Sequence, residues 1–102
     1  MDKQSLTAVI LTYNEENIIK HCLEALNFVD EIIVFDSFST DKTSEIAKQH
    51  KVKFVQHKFV NYAAQRNAAL KEVSKECHWI LMVDADEIVT LELKEEIKIL
   101  KQ

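Results

Sequence analysis

A chain of 102 residues that is 47% hydrophobic has the size and composition of one globular domain, or of part of one. Its formal net charge of −4 argues against a nucleic-acid footprint, which requires a clustered basic face. No apolar run approaches the ~18 residues of a membrane span, and no N-terminal signal peptide is visible.

Strand and helix signals alternate along the chain. Leu6 to Leu11 (LTAVIL) predicts a first strand, ending in Thr12-Tyr13-Asn14. Asn14 is placed to cap a helix whose first turn carries Glu15 and Glu16, favourable against the helix dipole. Ile18, Ile19, Cys22, Leu23 and Leu26 share one face of that helix. Glu31 to Phe35 (EIIVF) predicts a second strand ending at Asp36. Ser37, Ser39, Thr40 and Asp41 then supply loop and cap material for a short helix reaching about Gln49. Val52 to Val55 predicts a third, shorter strand, and Asn61 caps a helix running from about Tyr62 to Ser74. Trp79 to Val83 (WILMV) is uniformly apolar, as in a strand buried on both faces, and breaks at once into Asp84-Ala85-Asp86-Glu87. A last helix, capped by Thr90, carries Leu93, Ile97 and Leu100 on one face.

This alternation predicts a Rossmann-like α/β fold: a four-stranded parallel sheet of order 3-2-1-4 with helices on both faces. The polar segments Thr12–Glu15, Asp36–Asp41 and Asp84–Glu87 all follow strands, so they lie along one sheet edge, where open α/β sheets place ligands. Asp84 and Asp86, one residue apart at a strand end, offer hard oxygen ligands to a divalent cation. A polar strand end turning into solvent is the plainer reading.

Cys22 and Cys77 lack metal-site spacing and make no disulfide framework, so both read as reduced and cytosolic. His21, His50, His57 and His78 are scattered, without helical metal-site pairing, and read as structural or exposed. Glycine and proline are absent, where average usage would supply roughly a dozen. Gly-x-Gly-x-x-Gly and Walker A loops are therefore excluded. A nucleotide bound here needs its phosphates neutralised another way, and a carboxylate-held metal is suited to that task.

Four segments in order, LTAVILTYNEE, DEIIVFDSFSTDKT, YAAQRNAAL and WILMVDADE, resemble the N-terminal half of a family 2 glycosyltransferase with the GT-A fold. The resemblance covers about residues 6 to 93 and looks nearest to the bacterial branch that adds sugars to lipopolysaccharide cores. It implies transfer of a sugar, with inversion, from a nucleoside diphosphate donor, UDP-sugar foremost, to a saccharide or glycolipid acceptor. It implies a cytoplasmic setting, with peripheral association of the full enzyme at the inner membrane face left open. By position, Thr12 and Tyr13 would line the base site, Tyr13 against the uracil ring, and Glu15 would face the donor. Asp36 would accept a hydrogen bond from the base N–H, and Arg66 would lie close to base and pyrophosphate. Asp84 would approach ribose and metal, while Asp86 would ligate Mg²⁺ or Mn²⁺ bridging the diphosphate.

The residue types suit that chemistry, since a divalent ion stabilises a leaving nucleoside diphosphate as a Lewis acid and Arg presents a planar charged fork. Each also has a plainer role. Tyr13 could cover the sheet edge, Glu15 could serve a helical first turn, and Asp36 could make local turn bonds. Arg66 could pair with a surface acid, Glu87 could be solvated, and Gln65 and Asn67 read as packing or local hydrogen bonding.

Two departures from the family pattern stand out. Phe38 replaces the Gly of a common Asp-x-Gly-Ser-Thr-Asp loop, and Lys42 often has Gly as its counterpart. Phe disfavours positive φ, so the loop after Asp36 is expected to follow a different path, leaving contacts from Ser37 and Ser39 open. The family domain is also about twice as long, with its acceptor half and catalytic base downstream of Asp-x-Asp. Residues 1–102 are accordingly expected to be the N-terminal donor-binding part, without the C-terminal acceptor half, and inactive in transfer alone. The competing readings are a sugar-1-phosphate nucleotidyltransferase, whose glycine-rich N-terminal loop is absent here, and a non-catalytic nucleotide-binding module. A dehydrogenase-type domain is disfavoured because no glycine-rich turn follows the first strand.

Overall fold

The computed structural model describes residues 5–73 and 79–84. In chain order these form β1 (Leu6–Thr12), α1 (Ile19–Ala25), β2 (Glu31–Asp36), α2 (Thr43–Lys48), β3 (Lys53–Gln56), α3 (Tyr62–Leu70) and β4 (Trp79–Asp84). Asp86, Glu87, Cys77, His78 and the helix expected after Thr90 lie outside the described residues.

The strands form one parallel sheet of order β3-β2-β1-β4, as the alternation predicts. The register aligns the strand ends: Thr12 is opposite Asp36, Leu11 is opposite Asp84, and Asp36 is opposite Gln56. The period-2 alternation of side chains sorts the core into two layers. Ala8, Ile10, Val34 and Val83 point to one face and pack with Ile19, Cys22, Leu23 and Leu26 and with Ala47 of α2. Val9, Ile33 and Phe35 point to the other and pack with Ala69 of α3. The change of face follows from handedness. The chain steps from β1 to β2 to β3 in one direction, then reverses past β1 to reach β4. Keeping the crossover right-handed through a reversal requires the connecting helix to move to the opposite face. Burying each large aliphatic side chain in these layers contributes about 1.5–3 kcal/mol.

Local expectations fare unevenly. Asn61 caps α3 as expected, its Oδ1 accepting the N–H of Ala64 at 2.8 Å. α3 ends at Leu70, short of the expected Ser74, and β3 is shifted one residue along the chain. Asn14 does not cap α1, whose N-cap is Ile18 without a side-chain bond. Instead Asn14 takes φ 51, and its Oδ1 accepts the N–H of Thr40 at 2.8 Å. Tertiary bonds between loops outcompete the local cap, so Glu15 and Glu16 lie in a turn ahead of the helix rather than in its first turn. Among the described residues no helix is long and apolar enough to cross a membrane.

Candidate functional site

The ends of β1 and β2 are joined through one buried carboxyl group. Asp36 is 0% exposed. Its Oδ1 accepts the hydroxyls of Thr12 at 2.6 Å and Ser39 at 2.5 Å, and its Oδ2 accepts the N–H of Ser39 at 2.8 Å and Nε2 of Gln56 at 3.4 Å. One side chain therefore ties β1, β3 and the loop after β2 to the end of β2. A buried carboxyl needs such donors, and here protein groups supply them.

The loops beyond are stitched in the same way. The N–H of Asn14 donates to Ser39 Oγ at 2.8 Å, and the N–H of Glu15 to Thr43 Oγ1 at 2.8 Å. Asp41 accepts from the hydroxyl and N–H of Thr43 and from the N–H of Glu16, while Glu16 Oε2 accepts the N–H of Lys42. Desolvation pushes the Asp41 carboxyl up, but bonds from Thr43 and Glu16 together hold it below the ordinary aspartate value.

Phe38 corrects one expectation. It adopts φ 57, the conformation glycine would favour, and the loop makes the Ser39 bonds to Asp36 regardless. Ser37 is also engaged, its Oγ accepting Nε2 of Gln65 at 2.9 Å.

A cavity of about 580 Å³ opens over this edge. Leu11, Thr12, Tyr13 and Glu15 line it from β1 and its loop, Ser37 and Phe38 from the loop after β2. Lys58, Phe59, Tyr62 and Gln65 line it from the segment joining β3 to α3 and from α3 itself. Thr12, Tyr13 and Glu15 thus reach one space, with Asp36 buried next to it. Arg66 is exposed on α3 and does not line the cavity. Asp84 closes β4 beside Leu11, and Asp86 lies outside the described residues. Among the described residues no trio of His, Cys, Asp and Glu is grouped to hold a metal.

With the strand order, the aligned strand ends and the cavity established, the family can be assigned. The model of glycosyl transferase family 2 matches residues 7–99. The chain belongs to that family. It is 38% identical over 96 residues to an uncharacterized glycosyltransferase of Rickettsia bellii, covering 93% of this chain and 32% of that protein. It is 33% identical over 98 residues to the lipopolysaccharide core biosynthesis glycosyltransferase LpsC of Rhizobium meliloti, covering 91% of this chain and 36% of that one. The fold is shared with glucosyl-3-phosphoglycerate synthase of Mycobacterium tuberculosis, crystallised with Mn²⁺, UDP and phosphoglyceric acid. That likeness has a TM-score of 0.72 at 23% identity and covers 83% of this chain and 34% of that one. The chain spans about a third of the length of these proteins.

In this family 2 chain the unexpected contributors are Lys58, Phe59, Tyr62 and Gln65. Gln65 is 2% exposed and bridges two loops, donating to Ser37 and meeting His57 Nδ1 through its Oε1 at 3.1 Å. The rule that loops after parallel strands share an edge applies to β3 as much as to β1, β2 and β4. Applied to the third strand, it points to the His57–Asn61 loop.

Proposed function

We propose that this chain forms the donor-binding part of a family 2 glycosyltransferase that takes a nucleotide sugar, UDP-linked, and passes the sugar with inversion to a saccharide or glycolipid. The observation that carries this reading is the cavity at the carboxyl ends of β1 and β2, which meets Thr12, Tyr13 and Glu15. Its volume suits a nucleotide-sized ligand. The relationship to LpsC supports a role in envelope polysaccharide synthesis, and the UDP, Mn²⁺ and Mg²⁺ bound to the mycobacterial synthase support the donor class and the metal.

Tyr13, 54% exposed at the cavity, offers its ring to the base. Asp36 serves the base site from behind, orienting the Thr12 hydroxyl and the Ser39 loop. A base N–H bonding this carboxyl would have to displace one of its protein donors, of which Gln56 makes the longest bond. Asp84 and Asp86 would hold Mg²⁺ or Mn²⁺, since carboxylate oxygens are the hard donors these ions take. When bound, such an ion supplies Lewis-acid stabilisation of the departing diphosphate.

Calorimetry with UDP, with and without Mn²⁺, tests this. The unaltered chain is expected to bind UDP more tightly with Mn²⁺. Asp86→Asn is expected to abolish that metal dependence with little change in folding, because it removes an anionic ligand while keeping shape. Asp36→Asn is expected to lower affinity with or without metal. A chain that does not bind UDP would overturn the reading, and unchanged metal dependence in Asp86→Asn would reduce Asp-Ala-Asp to a polar strand end.

A further inference from the structure

Lys58 is the one cation among the described residues lining the cavity, and Glu15 the one acid. Lys58 is exposed, and no described carboxylate is paired with it, whereas Lys53 is bound to Glu72 at 3.3 Å. Its backbone is held in place by its neighbour. The N–H of His57 donates to the carbonyl of Asp36 at 2.9 Å, and the His57 ring stacks on Phe35 at 5.4 Å. His57 Nδ1 meets Gln65 Oε1 at 3.1 Å, and Gln65 continues to Ser37. On the other side, Asn61 caps α3. A flexible four-carbon stem therefore lines the cavity between two anchored neighbours, His57 and Asn61.

Strand order then decides which part of a nucleotide this cation meets. β3 and β4 are at opposite edges of the sheet, three strand spacings apart, or about 14 Å. Resting on the donor-site reading above, the phosphates lie toward β4, where Asp84 ends the strand, and the base lies toward β2 and β3. Lys58 is thus on the base side. An ammonium group only donates, so it favours a carbonyl at the base edge and disfavours an amino group there. Uracil presents O4 as an acceptor where cytosine presents the N4 amino group as a donor.

We propose that Lys58 is a specificity-determining residue that donates to the carbonyl oxygen at position 4 of the donor base and so selects uracil over cytosine. The segment carrying it lines the same cavity as Tyr13, and Gln65 and His57 are the positioning residues that hold its root.

The test is calorimetric titration of the full chain with UDP and with CDP, comparing Lys58→Met with the unaltered chain. Met keeps the stem and removes the charge, and the exposed position keeps folding unaffected. Lys51→Met, a surface change ahead of β3 at the other end of the strand, is the control. A lost charge-assisted bond weakens binding by about tenfold or more. Lys58→Met is expected to lose that much for UDP while CDP changes little, so the preference collapses; Lys51→Met should keep it. Equal weakening toward both nucleotides would make Lys58 a phosphate contact and overturn the inference, as would an unchanged preference. Failure of the unaltered chain to bind UDP would instead overturn the donor-site reading, and this inference with it.

Discussion

Phe38 bears the clearest local conflict in the molecule. At φ 57 its Cβ crowds the backbone, a cost of roughly 1–2 kcal/mol for an L-residue that glycine would escape. Asn14, the other described residue with positive φ, suits that region better because its short polar side chain bonds locally. The loop accepts the strain at Phe38 because Ser39 then donates twice to the buried Asp36 and receives the N–H of Asn14. Phe38→Gly is therefore expected to stabilise the fold by up to about 1 kcal/mol in urea unfolding, the relief being partly offset by a freer unfolded chain. A clear loss of stability would show that the ring, half exposed at the cavity, packs more than it strains.

Among the elements, α3 is stabilised by its own cap and α1 is not. Asn61→Ala removes the acceptor for the Ala64 N–H and is expected to cost about 1 kcal/mol in the same measurement. The α1 and α2 ends rely on each other's loops instead, with Asp41 as the shared acceptor. Its folded-state value is lowered, so its stabilising contribution is complete above the unfolded aspartate value of about 3.9 and is lost as pH falls through the lower folded value. Urea melts at descending pH should show a decline below about pH 4 that is shallower in Asp41→Asn. Identical acid limbs for the two proteins would remove Asp41 from this role.

At the scale of the whole molecule, the cavity is assembled from segments that only the sheet brings together, so ligand and fold should be coupled. UDP with Mn²⁺ at a hundredfold over its dissociation constant is expected to raise stability by about 2.7 kcal/mol, seen as a concentration-dependent rise in melting temperature. No rise at saturation would mean that the bound and unfolded forms are not linked through this site. Much of the architecture was legible in the residues themselves. Apolar runs such as LTAVIL and EIIVF are strands because only a doubly covered sheet buries them. Their alternation with helices implies a parallel sheet whose crossover handedness puts each helix on its face once the strand order is given. Thr12, Tyr13, Glu15 and Asp36 were legible as strand-end residues for the same reason. Three-dimensional contacts decided the rest. Asn14 had the chemistry of a cap, yet the N–H of Thr40, twenty-six residues away, is the donor it meets. Gln65 read as serving packing or local hydrogen bonding, and the fold set Ser37 and His57 as the partners of its amide. Lys58 had no local signal, because its place in the cavity depends on β3 lying beside β2. Periodicity along a chain reports which face of an element is buried. Which loops meet, and which polar groups satisfy one another, depends on pairings between distant segments that no local window contains.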